Sequence, residues 1–193
     1  LRAESLPTGY ARVEVPNGDF SDRTRFWSLP STIADRAELD VVSAEEGGNA
    51  LRVTAVKKNC AFIHSRAIPL HSRALLVRFR ACGRGCLRWA QALHTADGRF
   101  LGGSGGVTTD PSGIDLEETW RTYAMNVYVT ASEAVSIKVY FGLKNASDHV
   151  TIDDVTAAYD QRSPAQVKAS MADKHRTRYV PAPKPKTVPR QLH

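Results

Sequence analysis

The sequence predicts an all-β sandwich forming one domain, and three observations carry that reading. Short runs rich in Val, Ile, Leu and aromatic residues recur from residue 36 onward, each closed by a cluster of Gly, Asn, Asp, Ser or Lys. Such regular punctuation marks short strands joined by turns. No stretch sustains the 3.6-residue period of an amphipathic helix, and 33–38 has room for one helical turn at most. A chain of 193 residues is also long enough to bury one core, hiding roughly 70% of its unfolded surface.

Taken in order, residues 1–10, with Pro7 and Gly9, read as a mobile lead, and 11–160 as the domain. The run Ala11-Arg-Val-Glu-Val15 alternates and ends in Asn17-Gly18, two residues that tolerate positive φ and turn the chain sharply. A polar stretch to Arg25 leads to Phe26 and Trp27, and Trp27 is expected in the core. Strands are predicted over 37–42, 50–56, 62–70, 75–81, 87–93, 120–129, 135–143 and 150–159. Glu45-Glu-Gly-Gly-Asn49, Lys57-Lys-Asn59, His71-Ser-Arg73, Gly83-Arg-Gly85, Ala96-Asp-Gly98 and Asn145-Ala-Ser-Asp148 separate them. Between Leu101 and Trp120 lies Gly102-Gly-Ser-Gly-Gly106, read as a flexible rim loop. It is no phosphate cradle, because no Lys-Ser/Thr follows and no helix starts there. Eight short strands in this order predict a jelly-roll β-sandwich.

The last strand carries an anomaly. Asp153 and Asp154 sit side by side in the β-branched run Val150-Thr-Ile-Asp-Asp-Val-Thr156, where carboxylates are poor strand formers. An unpaired buried carboxylate is too costly to keep. One of the two is therefore expected to face water, and the other to be hydrogen-bonded, salt-bridged or holding a cation.

The net charge of +6 belongs to the end of the chain. Residues 1–159 hold 18 Lys+Arg against 18 Asp+Glu, whereas 160–193 hold 8 against 2. A nucleic-acid face on the domain is thus not expected. The 161–193 segment, with Val180-Pro-Ala-Pro-Lys-Pro-Lys186, reads as a disordered basic Pro-rich tail. It is either a linker to a further domain or an adhesive tail for polyanions such as an acidic polysaccharide. No run approaches the ~18 apolar residues of a membrane span. The chain starts at Leu1 rather than Met, as expected of a processed or excised product of a secreted protein. In that compartment Cys82 and Cys86, flanking Gly83-Arg-Gly85, can face each other across a hairpin. A disulfide is expected there, with Cys60 as the free thiol.

Catalysis is not expected. Glycoside hydrolysis needs two positioned carboxyl groups, and the acids here are scattered or adjacent, as in Glu117-Glu118. No Gly-x-Ser-x-Gly elbow is present, and His64, His94 and His149 lie on three separate segments without metal-ligand spacing.

Three motifs in sequence point to a family. Asn17-Gly-Asp-Phe20, then Gly47-Gly-Asn-Ala-Leu-Arg-Val53, then Ile152-Asp-Asp-Val155 resemble the jelly-roll carbohydrate-binding modules found with xylanases and glucanases, within the galactose-binding-like sandwiches. The resemblance covers residues 13–159. It implies a secreted, noncatalytic module for a polysaccharide or glycan, attached to or acting with a polysaccharide-active enzyme. The other reading is a structural or protein-interaction sandwich of an extracellular assembly, tethered by its basic tail.

The resemblance also implies sites. Such modules line a cleft on the concave sheet with an aromatic platform and planar polar groups, suited to the apolar face and hydroxyl rim of a sugar. The matching positions here are Phe62, His64 and Tyr140, with Arg88, Gln91 and Arg99 as weaker candidates. Arg88 is expected to point outward, because Leu87, Trp89 and Leu93 share the other parity; Trp89 and Trp120 are expected buried. A structural calcium ion ties the first turn to the last strand in these modules. Its matching ligands are the carbonyls of Gly18 and Asn49, with Glu46 and Asp153. The usual acid after the Phe is Ser21 here, so Asp19 or Asp22 is expected to substitute. A carboxylate bonded to the Asn-Gly turn without metal remains the alternative.

Overall fold

A computed structural model describes residues 9–58, 62–64, 66–104, 113–129 and 131–161. Cys60, residues 105–112 and the tail from residue 162 lie outside the described residues. Among those described, twelve strands run β1 (Tyr10–Val13), β2 (Ala37–Ser43), β3 (Asn49–Ala55), β4 (Phe62–His64), β5 (Ile68–Pro69) and β6 (Ala74–Arg84). They continue with β7 (Cys86–His94), β8 (Phe100–Ser104), β9 (Ile114–Asp115), β10 (Arg121–Tyr128), β11 (Ser136–Leu143) and β12 (His149–Asp160). One turn of 3₁₀ helix, Ser31–Arg36, precedes β2.

Two antiparallel sheets face each other, as the sandwich reading expects. One has the order β10-β6-β12-β3-β2, with β1 on the same edge of β12 as β3; the other runs β4-β11-β7-β8, with β5 on β11 and β9 on β7. Their facing sides supply Val53, Val77, Phe79, Leu87, Ile137, Phe141 and Ile152, and the segment between β1 and β2 adds Phe20 and Trp27, all buried. Rings knit the centre: Phe79 meets Phe141 edge-on at 4.8 Å, and Phe141 stacks on Trp27 at 6.2 Å. Trp27 is in the core as expected, and its indole N–H donates to the Asn17 carbonyl at 3.0 Å. Among the described residues no helix is long and apolar enough to cross a membrane.

Three local expectations are corrected. The predicted strand 62–70 is two short strands, both on β11. The Gly-rich stretch begins as a strand, β8, paired to β7. The Gly83-Arg-Gly85 segment is no hairpin: Cys82 lies opposite Thr151 in one sheet and Cys86 opposite Asp115 in the other. The chain passes there from sheet to sheet, so the two thiols are not cross-strand partners and both are free. Gly83 and Gly85 hold φ of 149° and 106°, and a Cβ on Gly85 would sit 2.1 Å from the buried Asp148 carboxyl.

Gly18 shows a similar constraint where the chain closes. Its carbonyl accepts the Val155 N–H at 2.8 Å, and a Cβ there would lie 2.0 Å from the Val155 carbonyl oxygen. Backbone must move to admit any side chain. Gly18→Ala should therefore cost more than about 2 kcal/mol in urea unfolding, beyond the ordinary range for a surface substitution.

Candidate functional site

Alternation on β11 decides which side chains leave the sandwich. Ile137, Val139, Phe141 and Leu143 are buried in the core, so Ser136, Lys138 and Tyr140 face outward, with Gly142 on the same parity but itself buried. The register with β7 sets His94, Ala92, Ala90 and Arg88 beside these four. Arg88 is thus outward as expected, while Gln91 lies opposite Val139 on the core ladder and is buried. Tyr140 is half-buried, and burial pushes its phenol up from the ordinary value. Its row neighbour is Ala90, and Ala92 and Gly142 on the adjacent rows are both buried.

The backbone of β4 places His64 opposite Tyr140 and Phe62 opposite Gly142. Phe62, His64, Tyr140 and Arg88 therefore occupy two adjacent rows of one sheet. Arg99 does not join them: it lies beyond the end of β7, paired with Glu133 at 3.2 Å, both exposed. The sequence reading missed three participants on this face. Phe100 is the most exposed large apolar residue, at 61%, with its ring 5.9 Å from that of His94. Lys138 lies one row from Tyr140. Burial, and then the Lys138 charge, holds His94 below its ordinary pKa. The period-2 pattern of β11 marked Lys138 as outward; which residues flank it depends on strand order.

The second constellation lies where the first turn meets β12. A bulge between Asp153 and Thr156, with Asp154 at φ 50°, resolves the paired acids. Asp153 turns inward, 7% exposed, and its Oδ1 accepts the Asp154 N–H at 2.7 Å. Asp154 turns out toward Arg80 at 3.8 Å. Burial pushes the Asp153 carboxyl up to about 6, and the charges of Asp154 and Asp19 add to the rise against Arg80 and the hydrogen bond. Asp19 itself accepts the Ser21 N–H and hydroxyl at 3.2 and 2.9 Å. The Asn49 amide donates to the Phe20 carbonyl at 3.2 Å, holding β3 to the turn.

The other proposed ligands point elsewhere. Exposed Glu46 reaches the partly buried Arg80 at 3.4 Å, and Asp22 reaches Arg25 at 2.9 Å in an exposed pair. Trp120, expected buried, is partly exposed beneath the Arg80 guanidinium at 5.2 Å. Among the described residues no three His, Cys, Asp or Glu side chains are grouped closely enough to hold a metal. Any cation here would rest on Asp153, with Asp19 and backbone carbonyls.

No protein-family model and no curated protein matches the sequence. Solved structures do resemble the fold. The enzymatically active domain of tailspike protein 4 from bacteriophage CBA120 matches at TM-score 0.61 and 15% identity over 75% of this chain. The chain spans only 21% of that tailspike chain. The CBM22-1 xylan-binding domain of a Paenibacillus barcinonensis xylanase matches at TM-score 0.58 and 10% identity, covering 79% of this chain and 99% of that one. A Clostridium thermocellum xylanase, its CBM22-1 and GH10 modules complexed with xylohexaose, matches at TM-score 0.55 and 12% identity. That match covers 76% of this chain and 28% of the xylanase chain. At such identities the likeness is one of fold: the chain has the jelly-roll sandwich of the carbohydrate-binding modules found with xylanases.

Proposed function

We propose that this chain is a noncatalytic carbohydrate-binding module whose site is the outward face of β4, β7 and β11, centred on Tyr140. The observation that carries the reading is the setting of that ring: half-buried, flanked by Ala90 and Gly142, with polar and basic side chains one row away. A half-buried ring suits the apolar face of a sugar, and the polar neighbours suit its hydroxyls. The similar domains include one described as xylan-binding and one complexed with xylohexaose. Each hydrogen bond to a sugar replaces bonds to water, so its net gain is small. Affinity on the order of 10 μM to 1 mM is expected, or about −7 to −4 kcal/mol. Calorimetry across xylan, β-glucan and galactan oligosaccharides tests this. No heat with any of them would leave a structural or protein-interaction sandwich.

Secretion and association with a polysaccharide-active enzyme belong to the same proposal, supported by the motif resemblance. The tail, with 8 Lys+Arg among residues 160–193, would add salt-screened attraction to polyanions. Trimming it with trypsin should lower retention on an acidic polysaccharide at low salt and leave the melting temperature of the domain unchanged.

A structural calcium ion is also proposed, held by Asp153 and Asp19 with the carbonyls of Gly18 and Asn49. The support is a buried carboxylate that forms no ion pair among the described residues. Such a group is costly alone. Calcium prefers six to eight oxygens, and waters would complete this set.

A further inference from the structure

We propose that the glycan this face selects is acidic, with a uronate carboxylate seated against Lys138 beside the ring of Tyr140. This rests on the binding reading above and narrows its ligand. The eight positions of this parity on the β7–β11 ladder are His94, Ala92, Ala90 and Arg88 with Ser136, Lys138, Tyr140 and Gly142, of which Ala92 and Gly142 are buried. They carry two permanent positive charges and a histidine, and no carboxylate. The acids nearest in register lie at the ends: Asp115, opposite Cys86, and Glu133, committed to Arg99 at 3.2 Å. Among the described residues Lys138 makes no ion pair.

The rows are spaced by two residues, about 7 Å, so the four extend over roughly 20 Å along the strands. That length accommodates several linked sugars lying along the sheet. A ring stacked on Tyr140 would place a ring substituent one row away, at Lys138 or at Arg88 opposite Gly142. A neutral sugar offers only hydroxyls there, which leaves the ammonium no better paired than in water. A carboxylate gives it a charge-assisted bond, about twice as strong as a neutral one. His94, half-buried, extends the same face one row beyond Lys138. Exposed Phe100, beside His94, supplies a second apolar surface at that end.

The test uses the full chain and matched pairs of short oligosaccharides: hexagalacturonate against its methyl ester, and a glucuronate-substituted xylo-oligosaccharide against xylohexaose. In at least one pair the acid should bind ten times or more tighter than its neutral partner, and about 0.5 M NaCl, which shortens the screening length to a few ångströms, should erase most of that preference. Lys138→Met, which keeps the apolar stem and leaves the basic tail intact, should reduce the acid-over-neutral ratio to threefold or less, each variant's acid affinity being read against its own neutral affinity. Equal binding of acid and neutral members, or a preference indifferent to Lys138→Met, would overturn the assignment and leave the glycan-binding reading standing. A sulfated oligosaccharide bound as tightly as the uronate would overturn the carboxylate specificity. Absence of binding by both pairs and by neutral β-glucan hexamers would overturn the glycan-binding reading and the assignment together.

Discussion

Phe141→Ala is expected to cost about 3–5 kcal/mol of folding stability, the range for emptying a buried aromatic site. Its ring is 1% exposed and contacts both Phe79 and Trp27, so no neighbour can collapse into the space without breaking another ring contact. Against a typical total of about 5–15 kcal/mol, the loss would move the urea midpoint far down or leave the domain unfolded at 37 °C. The preceding residue should behave oppositely. Tyr140→Ala should leave the unfolding curve close to the parent's, because the ring lies on the outward face. It should forfeit about 1–2 kcal/mol of glycan binding, a 5- to 30-fold weaker Kd and close to all that calorimetry can detect. If Tyr140→Ala unfolds as Phe141→Ala does, the ring is packing rather than platform and the site is misplaced. If it folds and binds as the parent does, Tyr140 is not part of the site.

Asp153→Asn should produce the second large effect, with a size that depends on calcium. Without metal the folded-state carboxyl titrates at about 6 against an ordinary value of 3.8. The folded state therefore holds the proton more tightly. The contribution of this group is most favourable below pH ~4, falls as pH rises toward 6, and by pH 7 is a penalty on the order of 2–3 kcal/mol. Asn cannot ionise and still accepts the Asp154 N–H, so in chelator the variant should match or exceed the parent at pH 7. Its stability should also be flatter between pH 4 and 7. Calcium at about 100 times its dissociation constant should add roughly 2.7 kcal/mol to the parent alone, enough to offset most or all of the variant's advantage. A parent indifferent to calcium and chelator would eliminate the metal; a parent with no pH slope in chelator would contradict the desolvation of Asp153.

Most strands were legible because their own residues decide them. Alternation in Val135–Leu143 and the β-branched run of Val150–Tyr159 demand a half-buried strand whatever lies beside them. The first turn was equally plain, since Asn17-Gly18 suits few other conformations, and the resemblance of three spaced motifs pointed to the jelly roll. Even the outward direction of Arg88 followed from the parity of Leu87, Trp89 and Leu93. These are properties of short segments, and a segment's period is written in its own side chains.

What the sequence could not decide concerns partners rather than periods. The alternation flanking Gly83-Arg-Gly85 is the same for a hairpin as for a passage between sheets, and only the pairing of β6 with β12 and of β7 with β11 separates the two free thiols. Parity along β12 could not tell Asp153 from Asp154, because one bulge, with Asp154 at φ 50°, reverses the faces beyond it. Arg80 draws Glu46 away from the first turn across three strands of one sheet, a placement that no spacing in the chain encodes. Nor could Lys138 be joined to Tyr140 and Arg88 as one basic, acid-poor surface. Lys138 and Arg88 stand fifty residues apart in the chain, and the ladder between β7 and β11 alone brings them onto one face. Local chemistry thus set the strands, and long-range pairing set the site, because a binding surface on a sheet is read across strands.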